Sequence, residues 1–321
     1  MVPFLLGTIY ALYHFHAFRL ENFLLMFGSL LFIDMATTTI NNLLDYKRAN
    51  KKEGYGFETH NAIVKYNMKE GTVMAVIVVL VTIAAVLGFF LYLNTNFLVL
   101  LLGALSFLVG VVYSFGPIPI SRTPFGEIFS GGFMGLVIPF LAVYIHIFNQ
   151  DLINLSYITA DGQMVLLGIG SQFTAAFVYG SAGLFTISLQ LRELLFIFLL
   201  SVPAAVGIAN IMLANNICDM EEDLENKRYT LPIFIGKRNA LFVFAGLYFI
   251  GYAAIVLLVF LHVTPLISLI TLATLPIVVK HLSIFYKKQS KQDTFALSVK
   301  NLLLMNVIFI LSLVIAYFFK V

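Results

Sequence analysis

Apolar runs of about twenty residues recur along this chain, each stopped by a short polar or charged segment. A helix of that length crosses a hydrocarbon core of roughly 30 Å. Within such a core no water can bond the backbone amides, so a spanning segment must bond its own, as a helix does. The residue alternation that a transmembrane β-barrel needs is absent. Composition agrees: 60% of the residues are hydrophobic and 11% are charged, against about 25% charged in soluble domains. The expected fold class is therefore all-α, a polytopic membrane protein read as one domain over 1–321. The one cysteine, Cys218, allows no internal disulfide and no cysteine metal cluster. The six histidines show no ligand spacing. No soluble domain stands out, and no nucleic-acid partner is expected.

Nine spans are expected, at 2–18, 22–44, 72–93, 97–117, 126–148, 194–214, 240–262, 264–279 and 301–319. The first begins at Met1 without a charged n-region or small-residue cleavage site, so it does not read as a signal peptide. A tenth uncharged stretch, 162–191, is rich in Gly, Ser, Thr and Gln. If it does not span, the loops 45–71, 219–239 and 280–300 share one face, and of the 19 Lys and Arg only Arg19, Arg192 and Lys320 lie opposite. Basic residues concentrate on the cytoplasmic side of membrane proteins. The three loops are thus expected in the cytoplasm, with about 150–191 as an interfacial or re-entrant insertion on the outer side.

Two loops open on nearly the same words. One is Ile40-Asn41-Asn42-Leu43-Leu44-Asp45, the other Ala214-Asn215-Asn216-Ile217-Cys218-Asp219, and Asp223 follows one turn later. Residues i and i+4 share a helix face. Each motif therefore aims an amide and a carboxylate oxygen the same way, where an apolar run turns charged. Hard oxygen donors of this kind suit Mg²⁺, which takes one or two carboxylates and completes its shell with water and substrate phosphates. Asn41, Asp45, Asn215, Asp219 and Asp223 are the expected ligands of a Mg²⁺–diphosphate site in two halves. The competing reading makes them polar helix ends at the interface. Asp34, in the middle of the second span and seven residues before Asn41, reads either as a buried acid satisfied by Thr37 or Thr38 or as a substrate contact.

The wider context sharpens this. Asn41 to Arg48, Glu53-Gly54 and Ala62 to Lys65 resemble the first Asp-containing loop of 1,4-dihydroxy-2-naphthoate prenyltransferases, a branch of the UbiA superfamily. Asn215 to Asp223, with Lys227-Arg228-Tyr229-Thr230-Leu231 and Ile235-Gly236, resembles that family's second loop. Tyr113-Ser114-Phe115-Gly116-Pro117 with Gly126-Glu127 matches the loop after its fourth span, and Leu5-Leu6-Gly7-Thr8 the inside of its first. The resemblance implies nine helices around a central cavity. It further implies Mg²⁺-dependent transfer of a polyprenyl chain from its diphosphate to an aromatic acid in quinone biosynthesis, in a bacterial plasma membrane. By the same resemblance Asp45, Asp219 and Asp223 are catalytic, while Arg48, Lys51, Tyr113, Arg122 and Cys218 join Asn41 and Asn215 around the substrates. Two positions depart from the family: Lys51 stands where an Asp is usual, and Cys218 where an Arg is usual. The chain also begins where members carry an apolar Arg/Pro-containing lead-in, which reads as a shortened start or a truncated frame.

Other readings stay open. The acceptor could be of the 4-hydroxybenzoate or homogentisate type. From other classes come a transporter with repeated halves and midplane ion sites, and a homologue that binds without turnover. Arg48, Lys51 and Arg122 also fit simple positive-inside bias, and Tyr113 also fits an interfacial aromatic belt.

Overall fold

The computed structural model describes residues 1–48, 61–114, 119–150, 152–159, 172–179 and 183–320. Lys51 lies outside them, and of Arg48 only the backbone is described.

The apolar runs fold as helices. α1 (Val2–Phe15) is followed by α2 (Leu20–Arg48), the short α3 (Ala62–Lys65), α4 (Glu70–Leu93) and α5 (Phe97–Ser114). The fifth apolar run is continuous but not uniform: α6 (Gly126–Gly132) passes through a π-helical turn at Phe133–Val137 into α7 (Ile138–Ile147). Then come α8 (Leu191–Cys218), α9 (Met220–Glu225), α10 (Leu231–Ile235) and α11 (Lys237–Phe260). A 3₁₀ stretch at Leu266–Thr274 leads into α12 (Leu275–Lys287), and α13 (Ala296–Phe319) ends the described chain. Seven of these helical segments are long and apolar enough to cross a membrane. Val2–Phe15 and Phe97–Tyr113 are apolar but shorter, and they occupy the first and fourth expected spans.

Small residues let the helices close on one another, the usual device where lipid removes the hydrophobic incentive to associate. Gly7 of α1 lies so near the Pro139 carbonyl of α7 that a Cβ there would collide with it. Gly135 meets the Ala205 backbone of α8 in the same way. The main core gathers Phe4, Tyr10, Tyr144, Leu200, Phe244 and Phe309 from α1, α7, α8, α11 and α13. A smaller cluster of Leu43, Ile63, Val73 and Ile77 pins α3 to α2 and α4. Large apolar side chains left exposed, among them Val78, Phe89, Phe198, Phe249 and Phe318, form the outer surface, as expected of a body solvated by lipid.

The insertion after α7 is where the structure departs most from the sequence reading. Its described residues form three antiparallel strands, which the sequence reading did not expect there: β1 (Ile153–Thr159), β2 (Gln172–Tyr179) and β3 (Gly183–Gln190). Their order is β1-β3-β2, with Leu155 and Ala175 both opposite Ile187. β-Branched and aromatic residues recur in all three, as pleated pairing favours. The sheet sits where α7 ends and α8 begins, at the end of the bundle away from both motifs. Its base is tied by Gln190 N–H donating to the Leu152 carbonyl at 3.0 Å. At that same end Glu193 meets His14 at 3.0 Å, and the Arg19 amide donates to His146 Nδ1 at 3.0 Å.

Candidate functional site

The apolar stretch of α2 ends in polar turns that carry Asn41 and Asp45, and α8 ends the same way with Asn215. The helical bond pattern runs past the end of α8: Asp219 N–H donates to the Asn215 carbonyl at 3.0 Å, and Asp223 N–H to the Asp219 carbonyl at 2.7 Å. The i, i+4 alignment expected of Asn215, Asp219 and Asp223 is therefore physical. Packing then brings the two helix ends together. One polar cleft of about 120 Å³ is lined by Asn41, Leu44 and Asp45 from α2, Tyr113 from α5, and Met212, Asn215 and Asn216 from α8. Ser121, Arg122 and Arg228 complete its wall.

Of the residues singled out by sequence, Asn41, Asp45, Tyr113, Arg122 and Asn215 meet in this cleft. Tyr113 is thus a pocket residue and not a belt aromatic, and its buried hydroxyl has no hydrogen-bond partner among the described residues. Cys218 is half-buried and packs on the apolar core instead. Asp219 and Asp223 stand beside the cleft, each held by a cation. Lys291, from the loop between α12 and α13, donates to Asp219 Oδ2 at 2.5 Å. Arg228 Nε lies 3.6 Å from Asp223 Oδ1, and the Thr230 hydroxyl donates to Asp223 Oδ2 at 3.2 Å. Burial pushes the Asp223 carboxyl up to about 6, with Arg228 pulling against that rise and Asp219 adding to it. Lys47 pairs with Glu70 at 3.0 Å on an exposed surface, where such a pair contributes little.

The second Asn of each motif has a different task. Asn42 Oδ1 accepts from the Ala62 amide at 3.1 Å, and its carbonyl accepts from Asn61 Nδ2 at 2.8 Å, fixing the chain that returns after the first loop. Asn216 Nδ2 donates to Glu127 Oε1 at 2.8 Å, locking α8 to α6. Glu127 is buried, and its Oε2 has no partner among the described residues. The second loop is also tied to the 3₁₀ turn Ile120–Arg122, since Tyr229 N–H donates to the Arg122 carbonyl at 3.0 Å. Sequence reasoning missed the roles of Asn216, Glu127 and Lys291 as partners, because contacts between segments 70 to 90 residues apart leave no spacing to read.

The donor set suits a divalent cation that shares its shell with a substrate. Three amide side chains, Asn41, Asn215 and Asn216, and the Asp45 carboxylate line the cleft, with two more carboxylates along the next two turns. It is not a cage made by protein alone: among the described residues no group of three or more His, Cys, Asp or Glu is placed to hold a metal. That pattern fits Mg²⁺, which keeps several positions for water and phosphate oxygens.

An apolar groove of about 680 Å³ runs between α5, α6–α7 and α8, from Ile128 to Ile153. Ile128 directly follows the Glu127 that bonds Asn216.

Comparison with known proteins agrees with this architecture. The chain is 31% identical over 259 residues to 1,4-dihydroxy-2-naphthoate octaprenyltransferase of Bacillus subtilis (strain 168), covering 80% of this chain and 68% of that protein. The apo structure of a UbiA homolog from Aeropyrum pernix K1 superposes with a TM-score of 0.65 at 17% identity, covering 97% of this chain and 95% of that one. A UbiA homolog from Archaeoglobus fulgidus bound to GPP and Mg²⁺ gives 0.57 at 14% identity, covering 98% and 94%. These two likenesses establish the fold. The profile of the UbiA prenyltransferase family matches residues 1–313, so this integral membrane protein belongs to that family and is a prenyltransferase.

Proposed function

We propose that this enzyme transfers a polyprenyl chain from polyprenyl diphosphate to 1,4-dihydroxy-2-naphthoate, a step of menaquinone biosynthesis, with Mg²⁺ as cofactor. The observation that carries the reading is the meeting of both Asn/Asp motifs in one cleft at one end of the bundle. The acceptor rests on the 31% identity to the Bacillus subtilis octaprenyltransferase.

In this reading Asn41, Asp45, Asn215, Asp219 and Asp223 hold Mg²⁺, which when bound offsets the negative charge of the diphosphate. Arg228 and Arg122, together with Lys51 and Arg48, favour the charge that builds on the leaving group. The bond between the allylic carbon and the diphosphate oxygen breaks, and its electron pair leaves with the diphosphate. The electron-rich ring then forms the new carbon–carbon bond, and the ring carboxyl departs as carbon dioxide. Tyr113 lies against the substrates in the cleft wall. Cys218 precedes Asp219, with its side chain packed on the apolar core. The apolar groove running from Ile128 supports a place for the prenyl tail, out of reach of water that would quench the cation. Nine helices span a bacterial plasma membrane, and the cleft opens to the cytoplasm.

The test is direct. Purified protein in lipid nanodiscs is incubated with Mg²⁺, prenyl diphosphates of several lengths, and 1,4-dihydroxy-2-naphthoate, 4-hydroxybenzoate or homogentisate, and products are identified by mass. A prenylated, decarboxylated naphthalenediol is the expected product. Transfer to another ring only would overturn the acceptor, and no Mg²⁺-dependent product would overturn the reading.

A further inference from the structure

Asp34 lies midway along α2, as far into the membrane as that helix allows. It is not the satisfied buried acid that one sequence reading makes it. The side chain is exposed, and the Thr37 hydroxyl donates to the Asp34 main-chain carbonyl at 3.0 Å, leaving the carboxylate alone. No described residue bonds or pairs with that carboxylate. A carboxylate facing lipid at this depth is strongly unfavourable, and intramembrane acids face a cavity or a partner.

The helix itself says which way Asp34 faces. Asp34, Thr38, Asn41 and Asp45 recur at i, i+4, i+7 and i+11, one stripe along α2. The last two line the polar cleft. The opposite side of α2 is taken up by α4: Ser29 donates to the Ala84 carbonyl at 2.9 Å, and Leu43 packs on Val73 and Ile77. Asp34 therefore lies on the same face of α2 as the cleft residues Asn41 and Asp45, about 10 Å further along the helix into the bundle at 1.5 Å per residue.

We propose that Asp34 is an acceptor-recognition residue, whose carboxylate takes the hydrogen bond of a ring hydroxyl on the aromatic substrate. The inference rests on the transfer to a hydroxylated aromatic acid set out above. A carboxyl oxygen accepts hydrogen bonds, so a ligand with a donor on its edge suits it. Asp45, the other acid on the stripe, is about 16 Å away along the helix, too far to share a metal. What reaches such a depth is a flat, mostly apolar molecule with a donor on its edge, which describes a phenolic ring. The acid group of that ring is better met by the cations of the cleft than by a second acid. The acceptor is thus oriented with its hydroxyl inward and its carboxylate toward the mouth of the cleft, where Arg122 and Arg228 stand.

The experiment compares wild type, Asp34→Asn and Asp34→Leu in nanodiscs, with the acceptor and with its methyl ether lacking that hydroxyl proton. Equilibrium binding of both ligands is measured, together with KM for acceptor and for prenyl diphosphate. Loss of a hydrogen bond to a charged group predicts that acceptor affinity falls roughly tenfold or more in Asp34→Leu, while KM for the diphosphate stays within about twofold. Wild type should discriminate against the methyl ether, and Asp34→Leu should not. If Asp34→Leu does not fold, Asp34→Asn carries the test: its amide must bind the acceptor more weakly and discriminate less. Equal discrimination by the variants and wild type would overturn the inference while leaving the prenyl transfer intact. Wild type that transfers to no hydroxylated ring would instead overturn the reading beneath it.

Discussion

At the scale of single residues, the two acids of the second motif are each held by a cation before any substrate arrives. Asp219 is held by Lys291 at 2.5 Å and Asp223 by Arg228 at 3.6 Å. A cation that joins these acids must replace those partners, and the freed side chains remain beside the anion that comes with it. Asp219→Ala and Asp223→Ala are each expected to lower turnover by about a hundredfold or more, as loss of a charge-stabilising contact in an active site does. Both should leave detergent-purified protein monodisperse, because each acid lies in the polar segment that follows α8, outside the apolar core. Near-normal turnover of both in excess Mg²⁺ would sink the shared site. Asp223 also sets a pH dependence. Its folded pKa of about 6 stands above the ordinary 3.8, so the folded state holds the proton more tightly than the unfolded one. The stabilisation is complete below about pH 4 and is lost as pH rises through 6. Melting temperature of metal-free protein should therefore fall between those values, and the fall should flatten in Asp223→Asn. Mg²⁺ binding needs the deprotonated form and should weaken below about pH 6, readable by titration calorimetry.

At the scale of elements, α2 and α8 are two copies of one device. An apolar helix emerges from lipid, its last turns carry Asn-Asn-x-x-Asp, the first Asn faces the cleft and the second anchors a neighbour. α6 to α7 is the third wall, and its glycines divide the work. Gly135 has no room for a side chain against Ala205, whereas a Cβ on Gly132 would meet open space in the apolar groove. Gly132→Phe should fit without harm to folding and should shorten the groove. Turnover of long prenyl diphosphates is then expected to drop severalfold relative to geranyl diphosphate, followed by product mass. Equal loss across chain lengths would show that the tail lies elsewhere.

At the scale of the whole molecule, both motif-bearing helix ends and the α12–α13 loop lie at one end of the bundle, since Lys291 reaches Asp219 and the cleft joins Asp45 to Asn215. The β1–β3 sheet lies at the other end. The described basic residues follow the same division, and the positive-inside rule predicts that the cleft end faces the cytoplasm. Single cysteines in a Cys218→Ser background should react with an impermeant maleimide from outside the cell within 155–159, and only after lysis at Lys65 or Lys291. Labelling of intact cells at Lys291 would invert the molecule.

The sequence by itself determined what depends on neighbours along the chain. Twenty-residue apolar runs became helices because lipid leaves the backbone no other partner, and the i, i+4 spacing of Asn41 with Asp45 and Asn215 with Asp219 survived because a helix preserves it. Tertiary structure alone decided what depends on distant partners. Glu127 met Asn216, Lys291 met Asp219, and Tyr113 turned from the interface into the cleft, none of which leaves a period in the sequence. The strands of 153–190 were hidden for the same reason, since a strand is made by the partner it pairs with. Asp34 needed both: its depth and its helical stripe could be counted, but only packing showed that neither Thr37 nor another described residue satisfies its carboxylate.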